Sequence, residues 1–348
     1  MNKCDIAIIY DNTNQLCFRN RHDLVAIRSV VKSVIAVQSA LTKNHYQTCV
    51  IGIKTDLLKF IQTLRHLNPK FTFNLCESIF GRSIWESNIP TLLDLFKIPY
   101  TGSDGRTLAL SLNKAKSKEF LRAHDLPVPN FTVYHDGVND LPSNLRFPLI
   151  VKPLQEDGSI GINPDSVVNN FRQLQRQTSR LLARNFRPLI AEEYIEGREL
   201  SVGILGNENS QILPISEIDF SNLPHNHPKI LCYDSKWKIN SLEYSGTKPI
   251  IPAKLDRETR EKVEAVAMKA YTSLNCQDYA RIDLRLSPDN TPYIIEVNPN
   301  PDISPEAGIV RSAKKAGLSY EEFIIQIVKN ATSRIKKKRS KNTHESPS

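Results

Sequence analysis

Apolar and polar positions follow two distinct rhythms through the first hundred residues. Short apolar runs at Ile6-Ala7-Ile8-Ile9, Cys49-Val50-Ile51-Gly52-Ile53 and Phe71-Thr72-Phe73-Asn74-Leu75 have the length of buried strands. Between the first two, residues 24–41 space Val30, Val31, Val34, Val37 and Leu41 along one helical face. Another helix is predicted from near Ser87, with Leu92, Leu93, Leu95 and Phe96 inside it, ending before Ile98-Pro99-Tyr100. Strands and helices taking turns in this way predict a small parallel α/β domain over residues 1–112.

Asn113 then reads as a helix cap, and the helix from Lys114 to His124 stops at Leu126-Pro127-Val128-Pro129. Strands are predicted at 147–152 and 189–195, on either side of a polar helical stretch, and again at 199–205 and 211–215. Residues 221–252 are long, polar and proline-containing, the mark of a functional loop or a mobile lid. Asp256 caps a helix carrying Val263, Val266, Ala270 and Leu274 on one face. Ser319 and Glu322 have capping-box spacing ahead of Phe323, Ile324, Ile327 and Val328. No internal repeat interrupts this order.

The most informative alternation is Arg281-Ile282-Asp283-Leu284-Arg285-Leu286, a turn at Ser287-Pro288-Asp289-Asn290, and a return strand from Thr291 to Asn298. Period two puts Ile282, Leu284 and Leu286 on one face and Arg281, Asp283 and Arg285 on the other. A reversal through Asp289-Asn290 sets Asp283 opposite Glu296 and Arg281 opposite Asn298. Two carboxylates and an amide oxygen so placed suit Mg²⁺ or Mn²⁺, with water or phosphate oxygens completing the shell. An isolated hairpin of this kind more often carries a surface Arg–Asp pair. The strongly apolar alternate face and the rigid exit at Pro299-Asn300-Pro301 tip the reading towards metal.

Charge changes the picture less than its total suggests. The formal net charge is +9, but +5 of it lies in residues 331–348, leaving +4 for the other 330. A nucleic-acid partner is therefore expected only weakly, through that basic stretch, and residues 332–348 are expected to be disordered and dispensable for turnover. No run approaches the roughly 18 apolar residues of a membrane span, so a soluble, cytoplasmic protein is expected. Six cysteines without any C-x-x-C pair read as reduced thiols. His225 and His227 lack the cysteines that would support a zinc site.

Two weaker signals complete the inventory. Leu149-Ile150-Val151-Lys152-Pro153 is a strand ending in lysine, followed by Gly158-Ser159-Ile160-Gly161, whose small residues would let backbone N–H groups close over phosphate; an ordinary hairpin turn fits as well. In Glu192-Glu193-Tyr194-Ile195-Glu196-Gly197-Arg198-Glu199, acids flank a turn where they could accept from an adenine amine and a ribose hydroxyl, or simply be surface acids.

Taken in order, the lysine-initiated helix, the V-K-P strand with its loop, E-E-Y-I-x-G-x-E and R-I-D…E-V-N resemble the ATP-grasp superfamily, and within it the D-alanine–D-alanine ligase family. Phe73-Asn74-Leu75-Cys76-Glu77, Ile98-Pro99-Tyr100-Thr101-Gly102-Ser103, Lys114-x-x-x-Lys118 and Ala316-Gly317-Leu318-Ser319-Tyr320 add to the likeness, which runs from about Phe73 to Val328. The resemblance implies an α/β fold in which the small N-terminal domain precedes a two-part ATP-grasp body, 113–190 and 191–331, with ATP between two sheets. It implies ATP-dependent joining of a carboxylate to an amine through an acyl phosphate, on amino acids or small peptides, and a possible homodimer.

It also implies roles. Lys114 and Lys152 would contact the ATP phosphates under the loop at Gly158 and Ser159. Glu192 with the Glu193 and Ile195 backbone would hold adenine, and Glu199 the ribose. Asp283, Glu296 and Asn298 would bind two Mg²⁺ (or Mn²⁺) ions, while Arg281 steadies the transferred phosphoryl group. Lys236 and Trp237 would close the lid. Arg281, Lys152 and Ser159 would be the catalytic set.

The likeness thins at the substrate positions. The family's glycine-rich turn with its glutamate is replaced by Ile9-Tyr10-Asp11-Asn12-Thr13-Asn14, and Asp302 and Ala307 stand where the family has glycine and serine. A changed substrate pair is expected, with Asp302 for an ammonium, Arg311 for a carboxylate and Glu86 as a further acid. A D-alanine–D-alanine ligase is one alternative, and a non-catalytic ATP-binding regulator with a basic docking tail another. The complete set of phosphoryl-transfer residues argues against the second.

Overall fold

The computed structural model describes residues 4–12 and 23–344. The first unit contains β1 (Ile6–Asp11), α1 (Asp23–Lys43), β2 (Thr48–Ile53), α2 (Leu57–Leu67), β3 (Phe71–Asn74), α3 (Asn88–Leu95) and α4 (Gly105–Leu112). Its sheet is parallel in the order β2-β1-β3. Ile6 and Ile8 pack on Val34, Val37 and Leu41 of α1, and Ala7 and Ile9 on Phe60 and Leu64 of α2 and Leu93 of α3. With both faces covered, β1 is an uninterrupted apolar run rather than an alternating one.

The second unit contains α5 (Lys114–Ala123), β4 (Phe131–Tyr134), β5 (Leu149–Pro153), β6 (Val167–Val168), α6 (Phe171–Ala183) and β7 (Leu189–Glu193). Its antiparallel sheet has the order β4-β7-β5-β6 and packs on Leu174 and Leu181 of α6. Asn113 caps α5, its side chain accepting from the Lys116 N–H at 3.1 Å.

The third unit contains β8 (Arg198–Leu205), β9 (Gln211–Ile212), β10 (Ser216–Asp219), α7 (Tyr233–Trp237), α8 (Leu242–Gly246), β11 (Lys248–Ile250), α9 (Arg257–Ser273), β12 (Tyr279–Leu286), β13 (Pro292–Asn298), α10 (Gly308–Lys315) and α11 (Tyr320–His344). The sheet runs β11-β10-β8-β12-β13, with β9 beside β8. Val263, Ala267 and Ala270 of α9 cover Ile282, Leu284 and Ile294. Ile309 and Val310 of α10 and Phe323 and Ile327 of α11 share a core with Ile6 and Ile8, so the chain's end packs on its first strand.

Three expectations need correction. Cys4 and Cys49 form a disulfide, because the parallel pairing of β1 with β2 brings their Cα atoms to 6.1 Å. Cys76, Cys232 and Cys276 are free and buried as expected, and Cys17 lies outside the described residues. Over residues 332–344 the expected disorder gives way to helix: α11 continues to His344, and Arg334 is drawn inward by an ion pair with Asp278, while residues 345–348 lie outside the described residues. The strand expected at 211–215 shortens to Gln211–Ile212, while the short strands β4, β10 and β11 were not anticipated. His227 is paired with Glu243 at 3.2 Å. Among the described residues no helix is long and apolar enough to cross a membrane.

Candidate active site

One cleft of about 2490 Å³ is lined from all three units, and every site residue named from the sequence lines it. Its floor is the β12–β13 hairpin. Arg281 pairs with Asn298 and Asp283 with Glu296, the register expected from the reversal; beyond Asp283 the ladder shifts, Leu284 pairing with Ile294. Ile295 is thus the extra residue of a β-bulge. Its carbonyl accepts from Lys118 Nζ at 2.5 Å.

The carboxylates are held by the protein's own cations. Arg281 Nη2 lies 2.7 Å from Asp283 Oδ2, and Ser201 Oγ donates to Asp283 Oδ1 at 2.8 Å. Lys114 Nζ stands 2.8 Å from Glu296 Oε1 and donates to the Glu156 carbonyl at 2.7 Å. Burial alone would raise the Glu296 carboxyl; Lys114, Lys152 and Arg281 outweigh it and hold it down at about 2. Asn298 Oδ1 accepts from the Asn300 N–H at 3.0 Å. Among the described residues no three His, Cys, Asp or Glu side chains converge on a metal position. Two carboxylates and an amide on one sheet face, all hard oxygen donors, fit a divalent cation that takes its remaining ligands from water and phosphate.

Across the cleft, Lys152 Nζ is 2.5 Å and Lys118 Nζ 3.2 Å from the two oxygens of Glu192, all three side chains buried. Burial would raise the Glu192 carboxyl, but the two lysines prevail and lower it. Lys118 itself is brought down to about 8, by burial first and by Lys152 beside it, against the pull of Glu192. The loop after β5 needs its small residues: Gly158, Ser159 and Gly161 have φ of +64°, +63° and +79°. A Cβ on Gly161 would come within 2.7 Å of Pro153 Cγ.

The segment expected as a lid is docked on that loop. Ser159 Oγ donates to the Leu231 carbonyl at 3.0 Å, and Trp237 Nε1 to the Gly158 carbonyl at 3.2 Å. Lys236, on α7, is exposed to the cleft, and desolvation there with Arg281 nearby lowers its ammonium. Lys114, Lys152, Lys236 and Arg281 therefore surround one volume, a setting for a polyphosphate.

Residues 120–329 match the family described as D-ala D-ala ligase C-terminus. The chain belongs to this family. A D-alanine–D-alanine ligase of Ralstonia pickettii is 31% identical over 259 residues, 73% of this chain and 74% of that one. An uncharacterized protein of Sinorhizobium fredii is 32% identical over 294 residues, 83% of this chain and 84% of its own. In fold, the Bacillus anthracis D-alanine–D-alanine ligase solved with ATP superposes with a TM-score of 0.74 at 21% identity, over 96% of this chain and 99% of that one. VanG D-Ala:D-Ser ligase of Enterococcus faecalis gives 0.71 at 18%, over 94% and 99%. The architecture is ATP-grasp.

Glu86, also on the cleft lining, is buried and accepts from Asn300 Nδ2 at 2.8 Å; burial, with Asp157 nearby, raises its carboxyl well above the usual range. Asp302 accepts from the Ser304 N–H at 2.8 Å and Ser304 Oγ at 2.9 Å. Arg311 donates to the Glu306 carbonyl, while its Nε is buried without a hydrogen-bond partner. Thr13 and Asn14 of the altered turn lie outside the described residues.

Four residues went unassigned in the sequence. Lys118 was visible only as a spacing partner of Lys114, and its ion pair to Glu192 crosses from α5 to β7. Asn300 reads locally as part of a rigid exit, yet it joins Asn298, Glu86 and Tyr279. Arg285 had only its strand face to announce it. Glu77 lines the cleft among other acids, which no local pattern reveals.

Proposed function

We propose that the protein is an ATP-dependent carboxylate–amine ligase that joins amino acids or small peptides through an acyl phosphate. The observation that carries this reading is that Lys114, Lys152, Lys236 and Arg281 line one cleft together with Asp283, Glu296, Asn298 and Arg311. A substrate carboxylate oxygen attacks the γ-phosphorus and ADP leaves. An amine then attacks the acyl carbonyl, phosphate departs, the amine's proton is lost and the amide remains. Lys152, Lys114 and Arg281 would neutralise charge as it moves towards the leaving oxygens. Asp283, Glu296 and Asn298 would hold two Mg²⁺ or Mn²⁺ ions, whose contribution is Lewis-acid screening of the phosphates. Glu192, Glu193, Ile195 and Glu199 would bind the nucleoside; Ser159, Gly158 and Trp237 would keep water from the acyl phosphate.

The substrate pair differs from two D-alanines on this reading. Asp302 and Ala307 replace residues of the family pattern, and the unpartnered Arg311 Nε is a donor suited to a substrate carboxylate. Asp302 and Glu86 would face its ammonium. The test is phosphate release with Mg²⁺-ATP against a matrix of D- and L-amino acids and dipeptides, products identified by mass, with D283N as the blank. Release no greater than the blank across the matrix, while ATP still binds, would leave a nucleotide-binding regulator instead.

A further inference from the structure

The cleft contains a guanidinium that the proposed chemistry does not use. Arg285, on the cleft-facing side of β12, is 4% exposed. Its Nε donates to the Ile195 carbonyl at 2.9 Å, Nη1 to the Lys229 carbonyl at 2.9 Å and to Glu199 Oε2 at 3.2 Å, and Nη2 to Tyr194 Oη at 3.2 Å. The guanidinium carbon lies 5.1 Å from the Tyr194 ring centroid. Those acceptors belong to three separate segments: the connector after β7, strand β8, and the limb that leads into α7.

Arginine is the side chain this junction requires. Its planar fork presents five donors, so one group can serve three segments at once, whereas a lysine ammonium offers three donors from one point. Pairing of β12 with β8 sets Arg285 directly opposite Glu199, fixing the distance between cation and acid by backbone register. Tyr194 Oη donates to the same Lys229 carbonyl at 3.2 Å, closing the network over the connector. The carboxylate of Glu199 thus has one oxygen committed and its orientation set.

We propose that Arg285 is a positioning residue that locks Glu199, the Tyr194–Ile195 connector and the lid's entry limb into one piece, and so sets the preference for a ribonucleotide over its 2′-deoxy analogue. The inference rests on the reading that Glu199 meets the ribose. A carboxylate held in one orientation distinguishes a hydroxyl that is present from one that is missing; a carboxylate free to swing does so poorly.

Calorimetric titration of the full chain with Mg²⁺-ATP and Mg²⁺-dATP tests this without depending on turnover. E199Q and R285M should each shrink the ATP-over-dATP preference by about tenfold, the worth of one hydrogen bond to a charged group. R285K should fall between R285M and wild type, and the E199Q/R285M double variant should lose no more than either single change. R285M weakening both nucleotides by one common factor, with E199Q still shrinking the preference, would reduce Arg285 to packing and overturn the proposal. An unchanged preference in E199Q would instead remove the ribose role of Glu199, and this inference with it. Should R285M fail to fold, the ratio in R285K decides the matter on the same criterion.

Discussion

Arg334 of α11 places its Nη2 2.8 Å from Oδ2 of Asp278, whose side chain is wholly buried at the entrance to β12. The same nitrogen donates to the Tyr100 carbonyl at 2.8 Å, and Asp278 also accepts from the Gly102 N–H at 2.8 Å and Asn207 Nδ2 at 3.0 Å. Arg334, next to the core-packed Ile335 of α11, thereby fastens the Tyr100–Gly102 segment of the first unit to the third.

Truncation should therefore split in two. A chain ending at residue 333 leaves Asp278 buried without its cation and should lose roughly 3 kcal/mol of stability. A chain ending at residue 336 keeps the pair and should unfold within about 0.5 kcal/mol of wild type, because the Lys337–Glu208 pair it gives up lies mostly in solvent. Urea unfolding of both chains measures this. Equal midpoints would show that Arg334 adds nothing.

Glu192 should be more sensitive than either lysine that flanks it. E192Q leaves Lys118 and Lys152 buried without the carboxylate that pairs with both, with Glu296 as the nearest remaining acid, and is expected to destabilise by roughly 3 kcal/mol. K118M removes one of two cations while Lys152 remains at 2.5 Å, so a smaller loss is expected. Thermal melts in the absence of nucleotide compare the two, and a K118M defect exceeding that of E192Q would contradict this account.

The substrate positions should separate from the nucleotide positions kinetically. D302A and R311A are expected to raise KM for an accepted amino acid by about tenfold or more while KM for ATP stays put, since a charge-assisted hydrogen bond is worth roughly 1.5–3 kcal/mol. Steady-state phosphate release gives both constants. Unchanged KM for every accepted substrate would remove these two residues from the pocket.

What could be read from the sequence was local, and what could not was distant. The Arg281–Asn298 and Asp283–Glu296 pairings followed from period two and a short reversal, although the bulge at Ile295 shifts the ladder nearer the turn, and the caps at Asn113, Asp256 and Ser319 followed from spacing alone; Ser319 Oγ accepts from the Glu322 N–H at 3.2 Å, and Asp256 from the Thr259 N–H at 2.9 Å. Lys118 and Arg285 looked like ordinary polar positions because their partners lie on other elements. Arg334 sits in a run of like charges, where composition predicts solvation; only the fold brings it to Asp278. The Cys4–Cys49 bond likewise depends on β1 lying beside β2, which no cysteine spacing encodes.

Glu77 gives the protein a pH signature. Its side chain is exposed to the cleft, where partial desolvation by the walls, then the nearby Asp302 and Asp157 carboxylates, push its carboxyl up to about 8 from an ordinary value of 4.5. A carboxyl raised on folding favours the native state below its unfolded value, and that advantage is lost as pH rises through the folded one. Wild type should thus lose stability relative to E77Q between about pH 4.5 and 8, the curves running parallel outside that window. Because Glu77 opens onto the cleft, water screens part of the effect, and the direction is the test. Unfolding midpoints of the two proteins from pH 4 to 9 supply it; a gap that stays constant would mean the carboxyl is not raised.

Divalent cation should be required for turnover rather than for the fold. Asp283 and Glu296 are already paired with Arg281 and Lys114, so the hairpin is electrostatically satisfied by the protein alone. Chelation is therefore expected to abolish phosphate release yet leave the melting temperature of the nucleotide-free protein within a degree or so, and added Mg²⁺ or Mn²⁺ should restore the rate. E296Q removes a hard anionic donor while keeping the shape of the side chain, and should cut kcat by a hundredfold or more, a loss on the order of 2.7–4 kcal/mol of transition-state stabilisation. The two measurements discriminate between roles. A chelator that lowered the melting temperature by many degrees would make the site structural, whereas E296Q with a normal kcat and a normal Mg²⁺ dependence would place the metal elsewhere.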